Sequence, residues 1–464
     1  MNFKKGDEIS LKIVDLAFGG VGIGKYTMPD GSGEIVVFVE KVVPGDEVLV
    51  SLTRIKKQFL EARLIKIEKA SPERIAGRCK HFGVCGGCRW QFLDYKNQLK
   101  WKEKIVRDSL ERIGEIANPP VEKIIGMKSP WFYRNKMEYS FGADANGLKL
   151  GFHPAKNFRD VFDLSECFLE SEVSAQIAVK VKEWAVSRKI TAYDPRVNEG
   201  ILRNLIVREG KNTNEIMVNL FTNGKDFAQH NDFKRLIVEN FPAVTSLYRT
   251  SVTIKRGNRT KVEEFHLEGN KTITETLKVA MEGGKDVTLK FDISPSAFFQ
   301  PNTIGAQILY ETVLNFANPT GAETVYDLFC GTGTIGMFMA SGVKNVIGIE
   351  LNESAVQSAK VNAVQNSIKN MEFICGDVDE MLPKLKGKAD IIITDPPRSG
   401  IFPKTLQKIL ELKPAKWIYV SCNPTTLARD LKEAIKAGYK LVRAQPVDMF
   451  PHTYHIETVC ELTL

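Results

Sequence analysis

The sequence predicts three successive folds: an OB-like β-barrel, a central α+β domain and a C-terminal doubly wound α/β domain. Three observations carry that division. Several short apolar runs crowd into residues 1–68. Strand-like runs with a few helices follow over 69–290. Strand and helix patterns then alternate from 291 to 464. A chain of 464 residues is also too long for a single core.

The first region reads as strands in order. Ile9 to Leu16 alternates apolar and polar residues, and Gly19-Gly20-Val21-Gly22-Ile23-Gly24 is a turn or bulge cluster. Glu34–Val39, Glu47–Ile55 and Phe59–Ile67 follow, with Pro44-Gly45-Asp46 as a turn. Short strands at this spacing fit a small closed barrel. Lys25, Lys41, Arg54, Lys56, Lys57, Arg63 and Lys66 decorate it. For any single one, a solvated strand face is as good an account as a ligand contact.

In the second region, Ser71-Pro72-Glu73-Arg74 opens a loop that carries Cys79, Cys85 and Cys88. Leu99, Ile105, Val106, Leu110 and Ile113 recur at helical spacing, and Gly114 ends the run. A helix over 94–113 is expected, packed on the C-terminal domain. Lys136 to Phe141, Leu202 to Arg208 and Glu215 to Leu220 read as strands of a separate sheet. In the third region the strands are Thr324–Leu328, Asn345–Glu350, Met371–Cys375, Ala389–Thr394 and Trp417–Ser421, with helices such as Ser354–Val364 between them. That alternation specifies a mostly parallel, doubly wound sheet.

Composition narrows the function classes. Hydrophobic residues make up 43% of the chain, which excludes wholesale disorder. No apolar run approaches the ~18 residues that span a bilayer. Met1-Asn2-Phe3-Lys4-Lys5-Gly6-Asp7-Glu8 has no apolar leader segment. The expectation is a cytoplasmic protein without a membrane partner. A net charge of +8 is compatible with a polyanion.

The chemistry-bearing motifs lie at strand ends. Asp327-Leu328-Phe329-Cys330-Gly331-Thr332-Gly333 is a strand-to-helix turn whose glycines let backbone approach a ligand. Glu350 ends the next strand, where an acid can bind ribose hydroxyls, and Asp377 follows the third, near an adenine edge. The full dinucleotide glycine fingerprint is missing. Asp395-Pro396-Pro397-Arg398 closes a fourth strand, an element typical of S-adenosylmethionine-dependent methyltransferases. Cys422, in Val420-Ser421-Cys422-Asn423-Pro424, stands just before a helix start, where a thiol pKa can fall. Glu457 closes Pro451-His452-Thr453-Tyr454-His455-Ile456-Glu457. Uracil C5 is too weak a nucleophile for a methyl sulfonium. Thiolate addition at C6 makes it carbanion-like, and a base must later remove the C5 proton. His452 and His455 are expected to shape the pocket. Arg398 after the prolines argues against cytosine-directed enzymes, which place a cysteine in that motif, and against N-methylating ones, which place an aromatic there.

Cys79, Cys85, Cys88 and, further on, Cys167 form a four-thiol set that suits a [4Fe–4S] cluster or a structural zinc. Paired C-x2-C zinc-ribbon spacing is absent, as is the radical-enzyme C-x3-C-x2-C spacing. Cys330, Cys375 and Cys460 read as packing residues.

Taken together these motifs resemble the RNA uracil-C5 methyltransferase family, above all its ribosomal RNA members with an iron–sulfur cluster and an N-terminal TRAM barrel. The resemblance implies Cys79, Cys85, Cys88 and Cys167 as cluster ligands and Cys422 as nucleophile, with Glu457 as base. It implies Gln300, in Phe298-Phe299-Gln300-Pro301-Asn302, and Phe329, Glu350, Asp377 and Asp395 around S-adenosylmethionine. The substrate expected is a uridine in RNA, 23S ribosomal RNA before transfer RNA, modified by a monomer. A catalytically silent RNA-binding or chaperone protein is the alternative from another class.

Overall fold

The computed structural model describes residues 3–28, 31, 33–254, 260–280, 286–385 and 387–464. Strands β1 (Glu8–Ala17), β2 (Val21–Thr27), β3 (Glu34–Val39), β4 (Glu47–Ile55) and β5 (Phe59–Lys69) close a barrel in the order β1-β2-β3-β5-β4. Alternation does the work: Ile13, Val37, Val39, Val48, Val50 and Leu60 point inward and are fully buried. Gly22 and Gly24 make closure possible. A Cβ on them would meet Val42 at 2.2 Å and Leu11 at 2.1 Å. Lys25, Arg54 and Lys66 pair with Glu34, Glu61 and Glu68. Lys41 donates to the Gly83 carbonyl in the cysteine loop. Among the described residues Lys56, Lys57 and Arg63 have no ion pair.

Helix α1 (Tyr95–Arg112) follows the cysteine loop. Its Val106 and Leu110 belong to the same core as Leu427 and Leu431 of the C-terminal region. Trp101 and Ile105, with Trp90 and Leu93, join Leu16 and Val43 of the barrel. One helix thus cements two regions by its two apolar flanks.

The central sheet contains β6 (Lys136–Asp144), β7 (Gly147–Phe152), β8 (Phe162–Asp163), β9 (Leu202–Glu209), β10 (Ile216–Asn223), β11 (Val244–Thr253) and β12 (Lys261–Gly269), in the order β12-β11-β10-β9-β6-β7-β8. Helices α2 (Glu172–Ser187) and α3 (His230–Asn240) cover one face. A two-stranded sheet, β13 (Ile273–Val279) with β14 (Val287–Ile293), lies in neither large sheet. The expected boundary between 290 and 291 falls inside β14. The hairpin's Ile273, Leu277, Leu289 and Phe291 pack with α4 (Thr303–Ala317) in the core of the C-terminal domain.

That domain contains β15 (Thr324–Leu328), α5 (Thr334–Met339), β16 (Asn345–Glu350), α6 (Glu353–Gln365), β17 (Met371–Cys375), α7 (Val378–Met381), β18 (Ile391–Thr394), α8 (Pro403–Leu412), β19 (Lys416–Ser421), α9 (Pro424–Lys436), β20 (Lys440–Val447) and β21 (Glu457–Thr463). The sheet order is β17-β16-β15-β18-β19-β21-β20. The first five strands are parallel, β21 runs antiparallel beside β19, and β20 pairs antiparallel with β21 and so resumes the common direction. Chain direction along the order reverses between β15 and β18, which opens a crevice beyond their carboxyl ends. The outer strand β20 is not bare. The stretch after α1 runs beside it, with Val121 opposite Ala444 and Ile125 opposite Val447. Four backbone bonds hold that contact.

Candidate active site

A cavity of about 820 Å³ opens at that crevice. The turn after β15 builds one wall. Phe329 and Gly333 both adopt left-handed backbone, at φ 62° and 73°. A Cβ on Gly333 would strike the Phe373 ring at 2.5 Å, so the turn requires glycine there. The Glu350 carboxylate braces the loop. One oxygen accepts the Gly331 N–H at 3.0 Å, the other the Asn352 N–H at 2.8 Å. Asp327 accepts the Gly336 N–H at 3.0 Å. Burial pushes the Asp327 carboxyl up to about 7. Asp377 caps α7 by accepting the Asp379 N–H.

The opposite wall carries the thiol. Cys422 lies between β19 and the cap of α9, and Asn423 closes that cap onto the Thr425 N–H. Ser421 pairs with Thr458, which brings the chain after β19 alongside Glu457. Burial pushes the Cys422 thiol up to about 12, and the nearby Glu457 and Asp395 charges push the same way. Arg398 opposes them. The depression expected from the helix start is therefore outweighed, because desolvation and two carboxyls act on the same sulfur. Asp395 is partly buried at the cavity wall, and desolvation raises its carboxyl to about 7. Glu457 is raised well above its usual range by burial and then by Asp395. Burial also lowers His455 to about 4, so its imidazole is neutral at pH 7.

Every residue expected here lines this one cavity: Gln300, Phe329, Glu350, Asp377, Asp395, Cys422 and Glu457. Gln300 arrives from the segment before α4. Asn135, just before β6, donates its side-chain N–H to the Gln300 carbonyl at 2.8 Å. The pocket also takes in residues the motifs did not single out. Leu351, Val378 and Phe402 give it an apolar lining, and Leu351 and Phe402 are largely exposed. Arg134 brings positive charge, as does Arg398 of the fourth-strand motif already noted, and Phe298 of the Gln300 motif stands exposed at the wall. An apolar residue directly after the strand-end acid, as in Glu350-Leu351, was the signal available for the first of these.

Two side readings change. Cys330 packs against the core of the C-terminal domain as expected and also lines the cavity, Cys460 is buried, and Cys375 is exposed and so is not a packing residue. His455 lines the pocket, but His452 does not. It stacks on Trp131 at 3.7 Å between ring centroids.

A second cavity, of about 330 Å³, collects Cys79, Cys85, Cys88 and Cys167. All four are free thiols. Burial pushes Cys88 up to about 12 and Cys167 to about 11, and the neighbouring thiols add to the rise at Cys88. Among the described residues, no three His, Cys, Asp or Glu side chains are grouped as a single metal ion requires.

Comparison with known proteins decides the family. Residues 239–463 match the tRNA (uracil-5-)-methyltransferase model, and residues 2–65 match the TRAM domain. An RNA methyltransferase of Halalkalibacterium halodurans, itself uncharacterized, is 39% identical over 468 residues, covering 99% of this chain and 98% of the relative. One from Chlorobaculum tepidum is 38% identical over 480 residues, covering 99% and 97%.

The chain belongs to the RNA uracil-C5 methyltransferase family.

The tRNA (uracil-54, C5)-methyltransferase of Pyrococcus abyssi, solved with S-adenosyl-L-homocysteine, superposes with a TM-score of 0.74 at 27% identity. It covers 98% of this chain, and all of that chain is matched. This family member is accordingly an S-adenosylmethionine-dependent RNA methyltransferase, and its N-terminal barrel is a TRAM domain.

Proposed function

We propose that this methyltransferase modifies C5 of a uridine through a covalent adduct of Cys422 with uracil C6. The observation that carries the reading is the sharing of one cavity by Cys422, Glu457 and the cofactor-side residues. The Cys422 sulfur forms a bond to C6, and the displaced pair is delocalised over C5 and the adjoining carbonyl. The C5 carbanion takes the methyl group, and the S–CH3 bond breaks to leave S-adenosylhomocysteine. Glu457 then takes the C5 proton, and the sulfur leaves with its electron pair. A carboxyl with a raised pKa suits that last step, since a stronger base takes a proton from carbon more readily. Before the attack the Cys422 thiol gives its proton to solvent water, a loss that its raised pKa makes unfavourable. Asp395 and Glu457 are the carboxyls whose charges act on the sulfur. On this reading Phe329, Glu350 and Asp377 hold the nucleoside part of the cofactor, with Leu351, Val378 and Phe402 against the adenine, and Gln300 faces cofactor and target base. A uracil in a duplex hides C6, so the target is flipped out or lies in a loop.

Ribosomal RNA was expected over transfer RNA because of the barrel. The Pyrococcus abyssi transfer RNA enzyme matches 98% of this chain, so the barrel does not separate the two, and transfer RNA stands as a second reading. Mass mapping of 5-methyluridine in both RNAs from a deletion strain decides. Loss from ribosomal RNA supports the first reading, loss from transfer RNA the second, and loss from neither refutes uridine methylation. Restoration by the Cys422→Ala protein would refute the covalent step.

The same reading assigns the second cavity to a [4Fe–4S] group held by Cys79, Cys85, Cys88 and Cys167. The observation behind it is the gathering of four free thiols around one cavity. Such a group would hold the loop and the Cys167 segment together. Iron and sulfide near four each per chain are expected, and zinc at one per chain would refute the assignment. A cytoplasmic monomer completes the reading. Among the described residues no helix is long and apolar enough to cross a membrane.

A further inference from the structure

We propose that segment 448–456, which leads into Glu457, is a loop set from outside the catalytic sheet, and that Gln98 and Tyr133 are positioning residues for Glu457. The inference rests on the reading of Glu457 as the base. Among the described residues the segment's backbone is held almost group by group. The Asp448 N–H donates to the Ile125 carbonyl at 2.9 Å. The Met449 carbonyl accepts from Asn302 Nδ2 at 2.8 Å, and the Phe450 carbonyl from Lys102 Nζ at 3.0 Å. The Pro451 carbonyl accepts from the Tyr133 hydroxyl at 3.1 Å. The His452 N–H donates to Gln98 Oε1 at 2.8 Å. Its carbonyl accepts from both Arg89 and Trp90 N–H groups, at 2.8 and 2.9 Å.

These partners belong to the cysteine loop, α1, the approach to the central sheet and the segment before α4. The barrel reaches the same place. Phe18 meets the Tyr454 ring edge-on at 5.7 Å. Two features show that the hold is imposed rather than intrinsic. His452 sits at φ 65°, a left-handed conformation costly for a side chain this bulky. Lys102 and Asp448 form an ion pair at 2.6 Å with both side chains wholly buried. Gln98 is the hub: its amide nitrogen also donates to the Trp90 and Leu93 carbonyls, and it contacts His452 Nδ1 at 3.1 Å. Glu457 begins β21 directly after the segment and pairs with Val447, so its entry into the pocket is set by how the loop is anchored.

Removing one partner of the buried ion pair endangers the fold, so the test uses neutral changes in the full-length chain. Gln98→Met keeps bulk and deletes the amide. Tyr133→Phe deletes one hydroxyl. The substrate is RNA from a deletion strain, with methyl-tritiated S-adenosylmethionine. For Gln98→Met the expected results are faster amide exchange across 448–456 and a kcat lower by about ten- to a hundredfold. S-adenosylmethionine affinity should hold within about twofold, and a tritiated protein–RNA adduct should persist on denaturing gels, because proton removal from C5 is the impaired step. Tyr133→Phe should shift each readout the same way by less. Unchanged exchange in both variants, or unchanged kcat despite faster exchange, overturns the proposal. Glu457→Gln is run in parallel. An adduct there but none in Gln98→Met also overturns it, since the loop would then serve another step. No adduct in Glu457→Gln overturns the base reading instead, and the loop's anchoring is then decided by exchange and kcat alone.

Discussion

The cavity at the strand ends and the cavity of the four cysteines are built on opposite principles. The large one lies at the ends of parallel strands, and its charged walls are already bonded to backbone: Glu350 to the glycine turn, Asp327 to α5, Asp377 to α7. The smaller one lies among loops and strand ends, and its four thiols face local hydrogen-bond partners: His81 and Phe82 at Cys79, Gly87 and Cys88 at Cys85, Gln91 at Cys88, and Leu169 and Glu170 at Cys167. A sheet holds the first in shape before any ligand arrives. On the proposed [4Fe–4S] reading, the second depends on what its thiols bind. Organisation by regular structure and organisation by occupant should therefore respond differently to the loss of one side chain.

Four measurements break or sharpen that contrast. The largest effect is expected from Cys422→Ala. Methyl transfer should fall on the order of 10⁴-fold or more, while calorimetry finds S-adenosylmethionine affinity unchanged. An equal loss of cofactor binding would mean that the thiol wall is not independent of the sheet. Next, Cys88→Ser should lower the thermal midpoint on the order of 5 °C, yet leave the cofactor dissociation constant within about twofold. A neutral result would show that the loop cavity supports itself. Third, Glu350→Ala should weaken S-adenosylmethionine binding about tenfold, since it frees two backbone N–H groups and removes a carboxylate from the pocket. A larger effect on melting than on binding would make Glu350 a brace only. The smallest effect concerns ionisation. A thiol pushed up to about 12 is protonated at neutral pH, so iodoacetamide should label exposed Cys375 well before Cys422. The Cys422 rate should keep climbing to pH 10. Glu457→Gln removes a charge that raises the thiol pKa and should quicken the reaction severalfold, as read by mass spectrometry.

How far the sequence led can be judged element by element. Asn345–Glu350 and Met371–Cys375 are strands with the expected ends, and the expected helix over 94–113 spans Tyr95–Arg112. These were legible because period and punctuation are local properties. The residues expected around the cofactor and thiol gather in one cavity because strand ends of a doubly wound sheet converge by topology. What stayed hidden is what distance in sequence conceals. Alternation in β13 and β14 shows a buried face but not which core it joins. Antiparallel addition of β20 and β21 follows from tertiary pairing, not from the run itself. A helix start beside Cys422 suggested a depressed pKa, whereas burial and then Glu457 and Asp395, which raise it, are set by the packing of distant segments. Nor does anything in Gln98 or Tyr133 alone reveal a bond to a loop more than three hundred residues away.

The strip 121–125 beside β20 has one further consequence. It knits the chain after α1 into the C-terminal sheet, while α1 itself is embedded in that domain's core. A single break in the connection between Gly126 and Lys136 would therefore leave two pieces that still share a continuous ladder and a common apolar interior. Co-expressed as separate polypeptides, 1–126 and 127–464 should find each other and rebuild an active enzyme. A cut placed at the start of α1 should give pieces that do so less readily, because helix and strip then stay together in the larger piece and only contacts of the barrel and the cysteine loop remain between the two.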